Sequence, residues 1–304
     1  MKFLSIFILL YIYLSIDAKA SIDTIAYKHD FGLKGDIVSF EERVYSARQN
    51  KGKIENKHFI SNAKYDIIDD RVFLMTFKDN YSTTNYFYDG LKRLIEVRTK
   101  SLRDGSLEGK NLYFYEQNQI IPYLALKYST LGKGKLQDSI ILQDSIIISY
   151  NKEKKELSTI SYSPKNGNLL YQNLVRYNEN NKIDKRVRTT HEATTRFIYS
   201  FDPKIGKVIE EKWFLDNKLV QKIKYEYNKL TYLTKRIEFD EDEDPYCETE
   251  YTYDPISGSV LEIKQGEHIT KYEYNFDNNE NWILRYEFYD NVPIKIVERK
   301  IQYK

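Results

Sequence analysis

Ile223-Lys224-Tyr225-Glu226-Tyr227-Asn228, Glu250-Tyr251-Thr252-Tyr253-Asp254 and Lys271-Tyr272-Glu273-Tyr274-Asn275 are three copies of one pattern. Each alternates Tyr with polar residues and ends in Asn or Asp. Such alternation marks a half-buried strand. Asn and Asp open turns because their side chains bond the backbone two residues on. Taking Tyr150, Tyr177, Phe201, Tyr227, Tyr253 and Phe276 as equivalent, the pattern returns about every 23–27 residues, the mark of an array whose units pack on their neighbours. A unit of that length holds two strands and two turns. The expected fold is all-β: an array of antiparallel strand-turn-strand repeats of about 21–28 residues, forming a long curled or twisted sheet.

Outward from these copies, the alternation assigns faces. Ile223, Tyr225 and Tyr227 share one face, and Lys224 and Glu226 the other. Tyr251 and Tyr253 oppose Glu250 and Thr252, and Leu284, Tyr286 and Phe288 oppose Arg285 and Glu287. The reading is one aromatic face and one solvated Lys/Glu face, as in an antiparallel sheet. Upstream, strands are expected near 57–67, at 71–77 and at Tyr86-Phe87-Tyr88, the last followed by an Asp89-Gly90 turn. Residues 48–56 read as a polar loop and 129–139 as a longer one. The apolar runs 140–142 and 146–150 read as strands buried on both sides.

The composition agrees with a strand-rich chain, with 28 Tyr and 15 Phe against 12 Gly. The first twenty residues carry Lys2, an apolar run over 3–16 and a small-x-small Ala18-Lys19-Ala20 ending, which reads as a secretory signal peptide. The organisation expected is 1–20 signal peptide, 21–84 an N-terminal β segment capping the array, and 85–304 the repeat domain. No later run is apolar enough for a helical span. A formal net charge of +2 gives no basic footprint for nucleic acid. The single cysteine, Cys247, has no internal disulfide partner and reads as a free thiol on a strand, with pairing between chains as the alternative.

Tyr251-Thr252-Tyr253-Asp254-Pro255-Ile256-Ser257-Gly258-Ser259-Val260 resembles the YD repeat, also called the RHS repeat: Tyr-Asp, a few residues, Gly, then an apolar residue. Tyr199-Ser200-Phe201-Asp202-Pro203-Lys204-Ile205-Gly206-Lys207-Val208 is a second copy with Phe for Tyr, and Tyr86-Phe87-Tyr88-Asp89-Gly90-Leu91 a compressed third. The end of the chain, Asp277-Asn278-Asn279-Glu280-Asn281-Trp282 and then Glu298 to Tyr303, is similar to the last repeat of small exported proteins of Bacteroidetes-type bacteria. Those relatives usually have Gly where Glu280 stands. The resemblance covers 197–304 well and 85–304 loosely, and it implies strand-turn-strand architecture. Large YD-repeat proteins wrap toxins in a spiral β-shell, for which this chain is too short.

Candidate sites are few. Asp240, Asp242 and Asp244 in the run Asp240-Glu241-Asp242-Glu243-Asp244 place carboxylates at alternate positions, as calcium sites do. Pro245 and Tyr251 stand where an EF-hand needs Gly and Glu, so a solvated hairpin tip is the plainer reading. His29, His58, His191 and His268 lack ligand spacing for zinc. Trp213, Trp282, Tyr251 and Tyr272, with Tyr225, form a candidate aromatic platform for sugars or peptides, or else the core face of the repeats. The function expected is a non-enzymatic exported binding or scaffold module, secreted or in the periplasm or cell envelope. It has no cofactor, calcium being the alternative, and an envelope protein or polysaccharide as partner. The other readings kept are a calcium-dependent or polysaccharide-active secreted enzyme, and a secreted effector or immunity partner.

Overall fold

A computed structural model describes residues 26–27, 31–51, 53–117, 119, 121–130, 140–180 and 182–304. The expected signal peptide, His29 and the 131–139 part of the expected long loop lie outside these residues. Every regular element described is a β-strand. The strands are β1 (Ala26–Tyr27), β2 (Ile37–Asn50), β3 (Lys53–Ile68), β4 (Arg71–Asp79), β5 (Ser82–Tyr88), β6 (Leu94–Ser101) and β7 (Leu107–Phe114). Then come β8 (Leu124–Thr130), β9 (Ile140–Asn151), β10 (Glu156–Tyr162), β11 (Leu169–Tyr177), β12 (Ile183–Thr190), β13 (Thr194–Phe201) and β14 (Val208–Leu215). Last are β15 (Lys218–Tyr227), β16 (Leu233–Phe239), β17 (Pro245–Tyr253), β18 (Val260–Gln265), β19 (His268–Phe276), β20 (Trp282–Tyr289) and β21 (Val292–Tyr303). The all-β antiparallel strand-turn-strand array is what the repeat demanded.

The contacts divide the chain into two compact units. The first comprises Met1–Phe40, Ala63–Ile148 and Gln302–Lys304. Within it β4 pairs with β5, and β5 to β9 follow one another antiparallel. Its core holds Leu33, Ile37 and Phe40, with Phe40 stacked on Tyr65 at 4.4 Å and Phe31 edge-on to Phe40 at 5.3 Å.

The second unit comprises Glu41–Asn62 and Ser149–Ile301. Here β10 through β21 form an unbroken antiparallel run. Strand β2 pairs with both β3 and β21. Leu157, Val175, Tyr177, Ile223, Ile296 and Val297 are buried in this unit.

Two turn types punctuate the run, and both use the Asn or Asp of the repeat. In the shorter type, one side-chain oxygen accepts the N–H groups two and four residues on. Asn228 takes Leu230 and Tyr232, Asp240 takes Asp242 and Asp244, and Asp277 takes Asn279 and Asn281. In the longer type, Asp202 and Asp254 accept N–H groups two and three residues on, and a Gly follows at positive φ, Gly206 at 62° and Gly258 at 71°.

The Tyr before the turn has a job of its own. The hydroxyls of Tyr227, Tyr253 and Tyr274 donate to the carbonyls of Val208, Leu233 and Val260 at 2.7, 2.8 and 2.9 Å. Those three residues open β14, β16 and β18. In the first unit Tyr115 reaches the Leu94 carbonyl, at the start of β6, at 2.8 Å. A Tyr near the end of one strand thus clasps the start of the strand before it. Phe201 lacks the hydroxyl and cannot make this bond, and in β19, where Phe276 ends the strand, Tyr274 two residues earlier makes it.

Three expectations need correction. The expected loop at 48–56 is mostly strand, because β2 runs to Asn50 and β3 starts at Lys53. The runs 140–142 and 146–150 form one strand, β9, and it is not buried on both sides, since Ile147 is 49% and Tyr150 38% exposed. Leu284, Tyr286 and Phe288 do not join the Tyr face: they stand opposite Asn275, Glu273 and Lys271. Arg285 and Glu287 stand opposite Tyr274 and Tyr272 instead. Alternation separates faces within a strand, but only register says which face meets which.

Candidate functional site

Register assembles one face of the second unit residue by residue. Arg186, Phe197, Trp213 and Gln221 form a row across β12 to β15. Tyr199, Glu211, Ile223, Glu238 and Cys247 form the next row across β13 to β17. Tyr225, Arg236 and Thr249 form a third. All of these except the buried Ile223 and Thr249 are half-buried. The opposite face exposes Lys224, Glu226, Glu248, Glu250, Lys264, Lys271 and Glu273, and between them carries the buried Lys222 and the half-buried Ile198, Phe214, Ile237, Phe239, Tyr286 and Phe288. The first face gathers Tyr, Trp, Arg and a few Glu side chains, whereas the second mixes exposed Lys and Glu with half-buried apolar side chains.

The half-buried face is a polar network. Tyr225 Oη donates to Glu211 Oε2 at 3.2 Å. Gln221 Nε2 and Tyr246 Oη both donate to Glu238 Oε2, at 2.8 and 3.0 Å, and Arg236 pairs with the other Glu238 oxygen. Burial raises the Glu211 carboxyl above the usual carboxylate range, against the pull of the Tyr225 hydrogen bond and of Arg236 and Arg186. Burial, with the Glu211 charge, also raises the Tyr225 hydroxyl. Trp213 stacks on Phe197 at 6.1 Å with 11° between the rings, and its indole N–H has no partner. The Nε–H of Arg186 is likewise buried and unpaired.

Glu211 gives a pH-dependent prediction. Between its unfolded and its raised folded pKa, the folded protein holds more protons, so stability falls as pH rises through that window. Glu211→Gln keeps an acceptor for Tyr225 and removes the charge. Its melting temperature is expected to exceed the parent's at about pH 7, with the gap closing toward about pH 4 as the parent carboxyl protonates. Melting curves by circular dichroism read this directly. A variant less stable than the parent at neutral pH would show that the arginines, not burial, dominate.

The residues expected from sequence fall in different places. Trp213 lies in the first row above, whereas Tyr251 and Tyr272 lie on the same face several strands away, beside Arg236 and Arg285. Burial pushes the Tyr272 hydroxyl up to about 12, Glu287 adding to the effect. Trp282 is covered: Arg299 lies 3.5 Å and Arg285 5.3 Å from its ring centroid, and Tyr274 meets it edge-on at 6.2 Å. The four candidate binding residues therefore do not form one patch.

At the acidic tip, the Asp240 carboxylate accepts two N–H groups of its own turn, each at 3.0 Å. Glu241 pairs with Lys218, and Glu243 with the buried Lys222. Among the described residues no group of three His, Cys, Asp or Glu side chains is arranged to hold a metal ion. Sequence reading missed Arg186, Arg188, Glu211 and Arg236. The signal for the two arginines was present as Arg186-Val187-Arg188, a same-face pair on an alternating strand. In the first unit a separate pocket of about 260 Å³ is lined by Asp66, Phe73, Met75, Tyr86 and Tyr88 among others.

A family model described as an uncharacterised protein matches residues 104–229. No curated protein matches the chain. Among solved structures, a porin-like protein from Bacteroides uniformis is similar at 11% identity, over 89% of this chain and 99% of that one, with a TM-score of 0.40. A porin-like protein from Bacteroides vulgatus is similar at 12% identity, over 86% and 97%, with a TM-score of 0.27. The TcdB2-TccC3-Cdc42 complex is similar at 12% identity, over 78% of this chain and 16% of that one, with a TM-score of 0.27. At these identities and TM-scores the likenesses bear on neither ligand nor location.

Proposed function

We propose that this chain is an exported, non-enzymatic β protein built of YD-like hairpins, which binds a polar ligand on one sheet face in the aqueous part of the cell envelope. The observation that carries the reading is the half-buried Tyr/Trp/Arg/Glu face of the second unit, with its fixed hydrogen bonds among Tyr225, Glu211, Gln221, Glu238 and Arg236. A polar face with aromatic rings and a few fixed hydrogen-bonding groups is the usual make-up of a ligand surface. The exposed lysines of the opposite face argue against lipid contact at their positions. A strand spanning a bilayer turns apolar residues outward, and a Lys at the midplane costs about 2–4 kcal/mol. Lys224, Lys264 and Lys271 are exposed on that face. Export is supported by the leader pattern of residues 1–20.

Fractionation of cells producing the tagged full chain tests this. The protein is expected in the periplasmic or medium fraction, or in the supernatant after alkaline carbonate washing of membranes. Retention in the membrane pellet until detergent is added would overturn it.

A further inference from the structure

We propose that Arg186 and Arg188 on β12, between the Tyr171 ring and the Phe197–Trp213 stack, form a site for an acidic saccharide chain. The inference rests on the binding face proposed above and names its ligand class.

The two arginines are two residues apart on one strand, so both project from the same face, about 7 Å apart along the strand. Register confirms the placement: Arg186 lies between Val175 and Phe197, and Arg188 between Asn173 and Thr195. Both are half-buried, and neither forms an ion pair among the described residues. The guanidinium of Arg188 rests over the Tyr171 ring at 4.7 Å. Asp184, the nearest acid along β12, is already taken by Arg176 at 3.1 Å. Glu211 is close enough to Arg186 to feel its charge, but the hydrogen bond it accepts comes from Tyr225.

Two like charges held side by side without a carboxylate partner repel each other, and an anion relieves that repulsion. A guanidinium fits a carboxylate with two parallel hydrogen bonds. Two of them about 7 Å apart suit a chain with acidic groups along it better than one isolated carboxylate. The flanking rings add flat apolar surface for the C–H faces of sugar rings. Asn173, opposite Arg188, already donates to Thr159 Oγ1 at 3.3 Å, which fixes its amide and leaves the pair of arginines as the anion-binding element.

The test is calorimetric titration of the full chain with tetragalacturonate and with uncharged maltotetraose, at low and at raised salt. Tetragalacturonate is expected to bind at least tenfold more tightly than maltotetraose, with an advantage that shrinks as salt rises. The paired change Arg186→Gln with Arg188→Gln should reduce that advantage to less than twofold, and Trp213→Ala should weaken both sugars. Should the paired variant not fold, as judged by circular dichroism, Arg188→Gln alone serves and should lose at least threefold. Equal binding of the two sugars, abolished by Trp213→Ala, would overturn the acidic preference and leave the binding face standing. No binding of tetragalacturonate at millimolar concentration would overturn the site, while the fractionation experiment judges the wider reading separately.

Discussion

Arg299→Ala should lower the stability of the chain by about 3 kcal/mol, the scale for breaking a buried charge pair. The Arg299 side chain is only 3% exposed. Its Nε and Nη2 both donate to Glu42 Oε1, at 3.0 and 2.7 Å. Its guanidinium also lies 3.5 Å from the centroid of Trp282. Truncation removes both contacts, leaves a cavity, and strands the Glu42 carboxylate without this partner. The position matters because Glu42 on β2 and Arg299 on β21 are 257 residues apart in the chain. Arg299→Lys keeps the charge but not the planar fork, and should fall between Ala and parent. Arg43→Ala is the contrast. Arg43 pairs with Glu41 at 2.7 Å but is 47% exposed, and exposed pairs contribute at most about 1 kcal/mol. Urea denaturation of all three variants gives the comparison. If Arg299→Ala cost no more than Arg43→Ala, the buried pair would not hold β2 against β21.

Gly258→Ala is expected to cost about 2 kcal/mol in the same assay. Two effects add. Its φ of 71° lies in the left-handed region, where an L side chain costs roughly 1–2 kcal/mol. A Cβ there would also sit 2.4 Å from Tyr232 Oη and 3.0 Å from its Cζ. Tyr232 cannot swing away freely, since its ring stacks on Tyr253 at 4.9 Å. Gly167→Ala separates the two effects: its φ is 69°, and nothing lies within 4 Å of the new Cβ. Gly167→Ala should therefore show the backbone cost alone, about 1 kcal/mol. Equal losses at the two positions would mean the Tyr232 contact contributes nothing.

The strands and turns were legible because each carries its own signal. Tyr225-Glu226-Tyr227-Asn228 announces both its alternation and its turn, and the structure builds both from those residues. At the acidic tip the turn was legible too, since Asp240 closes its own hairpin. The face of β20 was not legible. Its alternation is as clear as any, but a bulge between Asn275 and Phe276 and the register with β19 decide where Arg285 and Glu287 lie. The candidate site was harder still. Trp213 was found by residue type, but Arg186, Glu211 and Arg236 became a cluster only when five strands were laid side by side. Charged residues on an alternating strand read as solvated, and the count of neighbours that half-buries them is not local in sequence.

The Tyr clasp sets the grain of change in this chain. Each hydroxyl reaches exactly one strand back, from Tyr227 to Val208 or from Tyr253 to Leu233, so its bond is closed within a pair of strands. Loss of a single residue inside the pair would turn the Tyr to the wrong face and open the clasp. Loss or duplication of a whole pair moves hydroxyl and carbonyl together. The chain can therefore lengthen or shorten by hairpins far more readily than by residues, and its evolutionary letter is the strand pair.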